Sequence, residues 1–306
     1  MPEVTVVIPV FNGAEYLARC LQSAMAQSFG AIEIICINDG SRDGSAAILE
    51  EARRRDPRVR LLDNGRNLGA GASRNRGIAA ARGRFIRFLD SDDLLPPDST
   101  EVLYNRALET GADLVRGSLA LFNGDDLNAL SVVGVRNCIR TSFKAEPQLW
   151  APWWHTSYLL SSELLRRNAL GYQSLRRGED PLFLASVLVH SRLISLLEDI
   201  VYYYRKYPKS TGSGALGFAD VTDNLRHAAM VKSLYESHHP ESWEKGYGPF
   251  LLEDFRKFLR RCRFKADQAA AVQREMEKIW GPGTYVGGAD QGATDRGGPA
   301  VAPMRR

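Results

Sequence analysis

An apolar run, Phe85-Ile86-Arg87-Phe88-Leu89, passes without transition into Asp90-Ser91-Asp92-Asp93. A covered strand whose last residues are acids delivers negative charge to a sheet edge, where burial without a counter-ion is costly. The stretch therefore predicts a strand inside a covered sheet and a cation, expected to be a metal, at its carboxyl end.

The surrounding sequence supplies the sheet. Val4-Thr5-Val6-Val7-Ile8-Pro9-Val10 is continuous and rich in β-branched residues, as in a strand covered on both faces, and Asn12-Gly13 then turns the chain. Tyr16, Leu17, Cys20, Leu21 and Ala24 fall at helical spacing over residues 14–27. Strands are expected again at 32–37, 59–62, 85–89, 114–122 and 193–204, and helices at 43–55, 99–109, 161–168 and 182–190, while residues 67–75 lead into an Ala-rich helix that stops near Arg82-Gly83. Residues 123–128 read as a polar turn, and 130–150 carry little local signal and read as strand or loop. Strand and helix alternating at this spacing predict an α/β fold with a mainly parallel sheet flanked by helices. Helical patterns over 218–236 and 249–278 then predict a helical C-terminal extension. The Gly-, Ala- and Pro-rich tail is expected to be disordered. The domain expectation is 1–215 catalytic, with a nucleotide half to about 100 and an acceptor half from 101, then 216–280 helical and 281–306 tail.

Composition excludes several classes. With 44% hydrophobic and 25% charged residues in 306, the chain can bury a sizeable core. A net charge of +4, with both signs spread along the sequence, does not imply nucleic acid. Cys20, Cys36, Cys138 and Cys262 are too scattered for a zinc cluster or a disulfide framework, so reduced cytosolic thiols are expected. No signal-like stretch opens the chain, and no apolar run approaches the roughly 20 residues that span a bilayer. A cytoplasmic protein, soluble or peripheral at the inner face of the membrane, is expected.

In a sheet of this type ligands bind beyond the carboxyl ends of the strands, where Asn12, Asp39, Asp90 and Asp92 fall. The first turn, Phe11-Asn12-Gly13-Ala14-Glu15, has one glycine and lacks the dinucleotide fingerprint. A nucleotide is instead expected to meet Asp39, a carboxylate able to accept from a base N–H. The Asn67–Arg74 loop presents small residues for close backbone approach, and its Arg74 suits phosphate. A diphosphate calls for a hard cation, and Asp90 and Asp92 suit Mg²⁺ or Mn²⁺.

Six motifs then occur in order. They are Val6-Val7-Ile8-Pro9-Val10-Phe11-Asn12, Asn38-Asp39-Gly40-Ser41-Arg42-Asp43-Gly44-Ser45, Asn67-Leu68-Gly69, Ala72-Ser73-Arg74-Asn75, Asp90-Ser91-Asp92-Asp93 and Gly178-Glu179-Asp180. Together they resemble family 2 glycosyltransferases of the GT-A, Rossmann-type fold, inverting enzymes that use nucleotide-diphospho-sugars. The resemblance implies that Pro9, Phe11, Asn12 and Asp39 frame the nucleoside and that Arg74 lies near base or phosphates. Asp90 would reach the ribose or a metal-bound water, and Asp92 would ligate Mn²⁺ or Mg²⁺. Asp180 would be the catalytic base, with Glu179 positioning the acceptor. Tyr204-Arg205 with Lys209-Ser210 resembles the family's late phosphate-contacting loop. Asp93 is expected to be structural. The donor would be a nucleotide-diphospho-sugar, UDP-sugar favoured, and the acceptor a glycan or a lipid-linked species in cell-envelope or exported polysaccharide.

Two departures stand out. Where the family often has Trp-Asn-Lys-Leu-Tyr the chain reads Trp154-His155-Thr156-Ser157-Tyr158, so Trp154 and His155 are the acceptor-side candidates. The Gln-x-x-Arg-Trp motif of processive synthases is absent, which implies addition of a single sugar or a short unit.

Each residue also has a plainer reading. Asp92 and Asp93 can cap a turn, Trp153 and Trp154 can be core, and the basic run Phe255–Lys265 can be a solvated helix face rather than a contact with anionic membrane. Two rival functions remain open at this level: a non-catalytic nucleotide-sugar-binding protein, and an aspartyl-phosphate phosphohydrolase with Asp90 as nucleophile.

Overall fold

The computed structural model describes residues 1–284 apart from 125, 153, 176, 177, 207–216, 261 and 263. Trp153, the Lys209-Ser210 loop and the tail from residue 285 onward lie outside the described residues.

The first half is the alternation read from the sequence. Strands β1 (Val4–Val10), β2 (Ile32–Asn38), β3 (Val59–Asp63) and β4 (Phe85–Phe88) are separated by helices α1 (Ala14–Met25), α2 (Ser45–Arg55) and α3 (Ala70–Ala80). They form a parallel array in the order β3-β2-β1-β4. Helix α4 (Ser99–Thr110) leads to β5 (Leu114–Asn123), β6 (Asp126–Val133), β7 (Cys138–Thr141) and β8 (Tyr158–Ser161). Helices α5 (Ser162–Arg167) and α6 (Glu179–His190) precede the long strand β9 (Ile194–Lys206). The sheet continues β4-β8-β5-β9-β7, with β6 on β5; β5 and β9 are parallel, whereas β8, β6 and β7 pair antiparallel.

Side-chain alternation on the covered strands divides the interior into two layers. Val4, Val6, Ile8 and Val10 of β1 and Ile34 and Cys36 of β2 face a core shared with α1, α2 and α4. Val7, Ile35 and Ile37 face the other core, with α5, α6 and the C-terminal helices. Helix α3 sits unusually close on this second face: a Cβ at Gly77 would lie 2.3 Å from Val7 Cγ1. That proximity seats the start of α3, and with it Arg74, beside the ends of β1 and β4.

The C-terminal part is helical as expected, with α7 (Phe218–His238), a π-helical turn at Ser242–Tyr247, α8 (Gly248–Leu259) and α9 (Ala266–Trp280). These helices share the second core with α6, and the Tyr235 hydroxyl donates to the Trp150 carbonyl oxygen at 3.1 Å.

Four sequence expectations are corrected, the first being that residues 70–74, read as part of a loop, already belong to α3. The single helix over 249–278 is two, α8 ending at Leu259 and α9 starting at Ala266. Gln268 then caps α9 by accepting from the Lys265 backbone N–H at 3.1 Å. Residues 123–128 hold a tight Asn123–Asp126 connection into a strand, β6, rather than a turn alone. Strand β8 escaped detection because four residues beside a helix give no period to read, although its burial is complete up to Ser161. Cys20 and Cys36 are buried, and the Cys262 thiol donates to the Phe258 carbonyl oxygen at 3.5 Å. Among the described residues no helix is long and apolar enough to cross a membrane.

Candidate active site

Parallel pairing brings the ends of β1 and β2 level, with Val10 opposite Asn38, so their loops lie side by side. Asn12 adopts φ 49°, and its side chain accepts from the Arg42 backbone N–H at 2.8 Å. Ser41, Ser45 and Asp43 accept from the backbone N–H groups of Asn12, Gly13 and Ala14. The motif after β2 thus staples the two loops and fixes the floor of a crevice.

Asp39 is 2% exposed, and its carboxylate accepts from Asn64 Nδ2 at 2.7 Å and from the backbone N–H groups of Leu68 and Gly69, both at 2.9 Å. It therefore organises the loop that launches α3. The same loop presses on Gly40, where φ is +73° and a Cβ would lie 2.6 Å from the Arg66 carbonyl carbon.

The three acids after β4 separate by environment. Asp93 is buried and accepts from the Tyr202 hydroxyl at 2.8 Å and the Arg205 backbone N–H at 2.7 Å. Burial, with Asp90 and Asp92 beside it, holds its carboxyl well above the usual carboxylate range. Asp90 receives Arg74 Nη2 at 2.7 Å. Burial pushes Asp90 up, but the guanidinium outweighs it and holds the group below its ordinary value. Asp92 stands half-buried at the rim of the crevice.

Arg74, almost wholly buried on the first turns of α3, also donates through Nη1 to Asp180 Oδ1 at 2.8 Å and lies 3.8 Å from Glu179 Oε1. Its guanidinium carbon sits 5.2 Å from the centroid of the Tyr172 ring. Glu179 and Asp180 open α6 behind Gly178, whose φ is +80°. The two helix starts touch: the Gly71 N–H donates to Glu179, and a Cβ there would lie 2.5 Å from Glu179 Oε2. Burial and the neighbouring Asp180 push the Glu179 carboxyl up to about 7.

His155 is buried against Phe88 and Tyr172, with Nδ1 3.8 Å from Asp180 Oδ2 and Nε2 without a hydrogen-bond partner. Burial lowers its pKa, so the ring is neutral at pH 7. Trp154 has φ 63° and packs edge-on against Tyr204 at 5.0 Å. Arg205 is buried between Tyr16 and Phe122, its Nε donating to the Asp92 carbonyl oxygen at 2.7 Å and its Nη1 to that of Gly124. It stands behind the crevice wall and positions the backbone of Asp92.

Pro9, Phe11, Asn12, Asp39, Gly69, Arg74, Asp90 and Asp92 therefore line one cavity of about 620 Å³, joined by Glu15, Tyr16 and Ser73, which the sequence reading did not single out. Tyr16 was hidden because its helical spacing reads as core. Tyr172 lies in a stretch with no periodicity and left no signal at all.

Among the described residues no group of three or more Asp, Glu, His or Cys is arranged to hold a metal. Asp90, engaged by Arg74, and Asp92 both line the cavity, whereas Asp93 is buried against Tyr202 and Arg205. That donor set fits Mg²⁺ or Mn²⁺ shared with a phosphate, since such ions commonly bind through one or two carboxylates and retain water or substrate oxygens.

The family profile described as "Glycosyl transferase family 2" matches residues 5–170, more than half of the chain. The chain belongs to glycosyl transferase family 2. Among its relatives in the family, the "Uncharacterized glycosyltransferase EpsJ" of Bacillus subtilis is 30% identical over 220 residues, covering 69% of this chain and 63% of that one. The "Succinoglycan biosynthesis protein ExoO" of Rhizobium meliloti is 36% identical over 211 residues, 61% of this chain and 56% of ExoO. The match thus spans less than two thirds of each relative. Among solved structures, S. aureus TarS 1-349 in complex with UDP-GlcNAc superposes with a TM-score of 0.69 at 18% identity, covering 91% of this family 2 chain and 82% of TarS. That likeness establishes the GT-A fold expected from the motifs.

Proposed function

We propose that this family 2 protein is a non-processive, inverting glycosyltransferase that moves a sugar from a nucleotide-diphospho-sugar to an acceptor hydroxyl. The observation that carries the reading is the Arg74 bridge, which joins the cavity expected to hold the donor to the acid pair expected to do the chemistry.

In this reading Phe11, Asn12 and the loop around Gly69 enclose the nucleoside, and Asp39 keeps that loop in place. Asp92 would hold Mn²⁺ or Mg²⁺ against the diphosphate, where the ion neutralises the charge gained by the leaving group. The acceptor oxygen attacks the anomeric carbon from the face opposite the diphosphate, and its proton passes to Asp180. The bond from the anomeric carbon to the β-phosphate oxygen breaks, and its electron pair leaves with the nucleoside diphosphate. Arg74 donates to Asp180 Oδ1, so in this reading Oδ2, 3.8 Å from His155 Nδ1, would take the proton. His155 and Trp154 would border the acceptor, and Glu179 would hold its hydroxyls.

UDP-sugar is the favoured donor, supported by the fold shared with the TarS–UDP-GlcNAc complex. The relationship to ExoO supports polysaccharide assembly. Phe255 and Leu259 of α8 are buried in the core while Arg256, Lys257 and Arg260 are exposed, so membrane contact there would be electrostatic.

The test is a thermal-shift and hydrolysis panel of UDP-, GDP- and dTDP-sugars with and without Mn²⁺ or Mg²⁺. At least one donor should raise the melting temperature in the presence of metal and be slowly hydrolysed. Absence of both effects across the panel overturns the proposal.

A further inference from the structure

A second cavity, of about 410 Å³, opens on the far side of Asp180 from the donor crevice. Glu179 and Asp180 form one wall; Asn224 and His227 of α7 and Asp254, Phe255 and Phe258 of α8 form the others. The two cavities meet at the Arg74–Asp180 contact, since Arg74 lines one and Asp180 the other. A transferase that joins two substrates needs two binding spaces meeting at the proton acceptor, and this is how they lie.

The lining argues against a mere gap between packed helices, which would be apolar. It combines two phenylalanine rings, stacked at 5.9 Å with an interplanar angle of 19°, with an amide and three carboxyl groups. Aromatic faces meet the C–H faces of a pyranose, and amide and carboxylate groups bind its hydroxyls. His227 adds an independent sign. Its ring is buried, its Nδ1 has no hydrogen-bond partner, and it presses on Gly178, where a Cβ would lie 2.5 Å from the ring.

Charge narrows the choice of sugar. Among the described lining residues there is no lysine or arginine, and burial lowers the His227 pKa to about 4, which keeps it neutral. Among the described lining residues, a phosphate or carboxylate on the acceptor would therefore face the carboxyl groups of Glu179, Asp180 and Asp254.

We propose that the cavity between α6, α7 and α8 is the acceptor subsite and that it takes an uncharged sugar ring, with Asn224, Asp254 and Phe258 setting that specificity. The assignment rests on the reading of Asp180 as the base. It makes the C-terminal helices part of the binding machinery, although the family match ends at residue 170.

The experiment uses the full chain with the donor it hydrolyses. Octyl glycosides of glucose, galactose, mannose and N-acetylglucosamine are compared with the matching 6-phosphates and uronic acids. Transfer to at least one neutral glycoside is expected, with kcat/KM at least about tenfold above that of its charged counterpart. Asn224→Ala and Phe258→Ala should raise the acceptor KM about tenfold relative to the donor KM. Asp254→Lys, at an exposed position, should narrow the preference for neutral over phosphorylated acceptor. Preference for a charged acceptor, no transfer to any neutral glycoside, or an acceptor KM indifferent to both truncations overturns the assignment. Donor hydrolysis separates the levels: if it persists while the acceptor results fail, the subsite is wrong and the transferase reading stands, whereas its absence removes the latter.

Discussion

Arg74 donates to Asp180 at 2.8 Å, and the same guanidinium reaches Asp90 at 2.7 Å. The fork holds one carboxylate at the end of β4 and another at the start of α6, elements that no local sequence signal connects. Burial alone would lower the Arg74 pKa, but the two carboxylates hold it well above its ordinary value. A planar donor that satisfies two acids at once is what an arginine supplies and a lysine does not.

Arg74→Ala should therefore cost about 2–3 kcal/mol of unfolding free energy at pH 7, because it leaves the partly buried Asp90 without its cation. Arg74→Lys should lie between Ala and wild type. Urea denaturation measures both, and adding Asp180→Asn to Arg74→Ala should recover part of the loss. An Arg74→Ala protein as stable as the wild type removes the bridge from any supporting role.

Most of the fold was legible because covered strands and amphipathic helices repeat their hydrophobic period locally. Val4–Val10, Ile32–Asn38 and α1 all lie within a residue or two of where their patterns place them. The site was legible only as types of residue. Asp90, Asp92 and Asp180 follow from motif order, yet the sequence reading put Arg74 near base or phosphates and did not pair it with Asp180. That pairing depends on Gly71 and Gly77 letting α3 sit against Glu179 and Val7, a distance between elements that no spacing in the chain encodes. Likewise Arg205, expected at the donor phosphates, is sandwiched between Tyr16 and Phe122, and only the fold brings those rings together. The acids that look equivalent in Asp90-Ser91-Asp92-Asp93 differ because Tyr202, from β9, claims Asp93.

Asp180→Asn tests the chemistry apart from binding. The amide keeps the shape and a hydrogen-bond acceptor for Arg74 but cannot take a proton. Transfer should fall by about 10²–10⁴-fold while donor affinity stays within about threefold. Single-turnover transfer and calorimetric titration of the donor measure the two quantities, and an Asn variant that transfers normally eliminates Asp180 as the base.

Asp92→Asn tests the metal. In Mn²⁺ the donor should bind about tenfold or more weakly than to wild type, and in chelator the two proteins should bind it alike. Thermal shift across a donor titration, with and without Mn²⁺, reads this directly. Equal loss in both conditions would assign Asp92 to the sugar or the ribose instead.

Glu179 should leave its mark on stability as a function of pH. Its carboxyl ionises near pH 7 in the folded protein, through burial and the adjacent Asp180, against an ordinary value of 4.5. Between those values the folded state holds a proton that the unfolded chain has released, so stability contributed by this group falls as pH rises through that window. Below pH 4.5 both states are protonated and the difference vanishes; above about 7 the penalty is fully present. Glu179→Gln removes the ionisation while keeping the side-chain shape. The melting temperature of the variant minus that of the wild type should therefore increase by about 3 °C from pH 5 to pH 8.5. A difference that is flat with pH would return the Glu179 carboxyl to an ordinary value and, with it, undo the description of the Glu179–Asp180 pair as two acids that resist sharing a second negative charge.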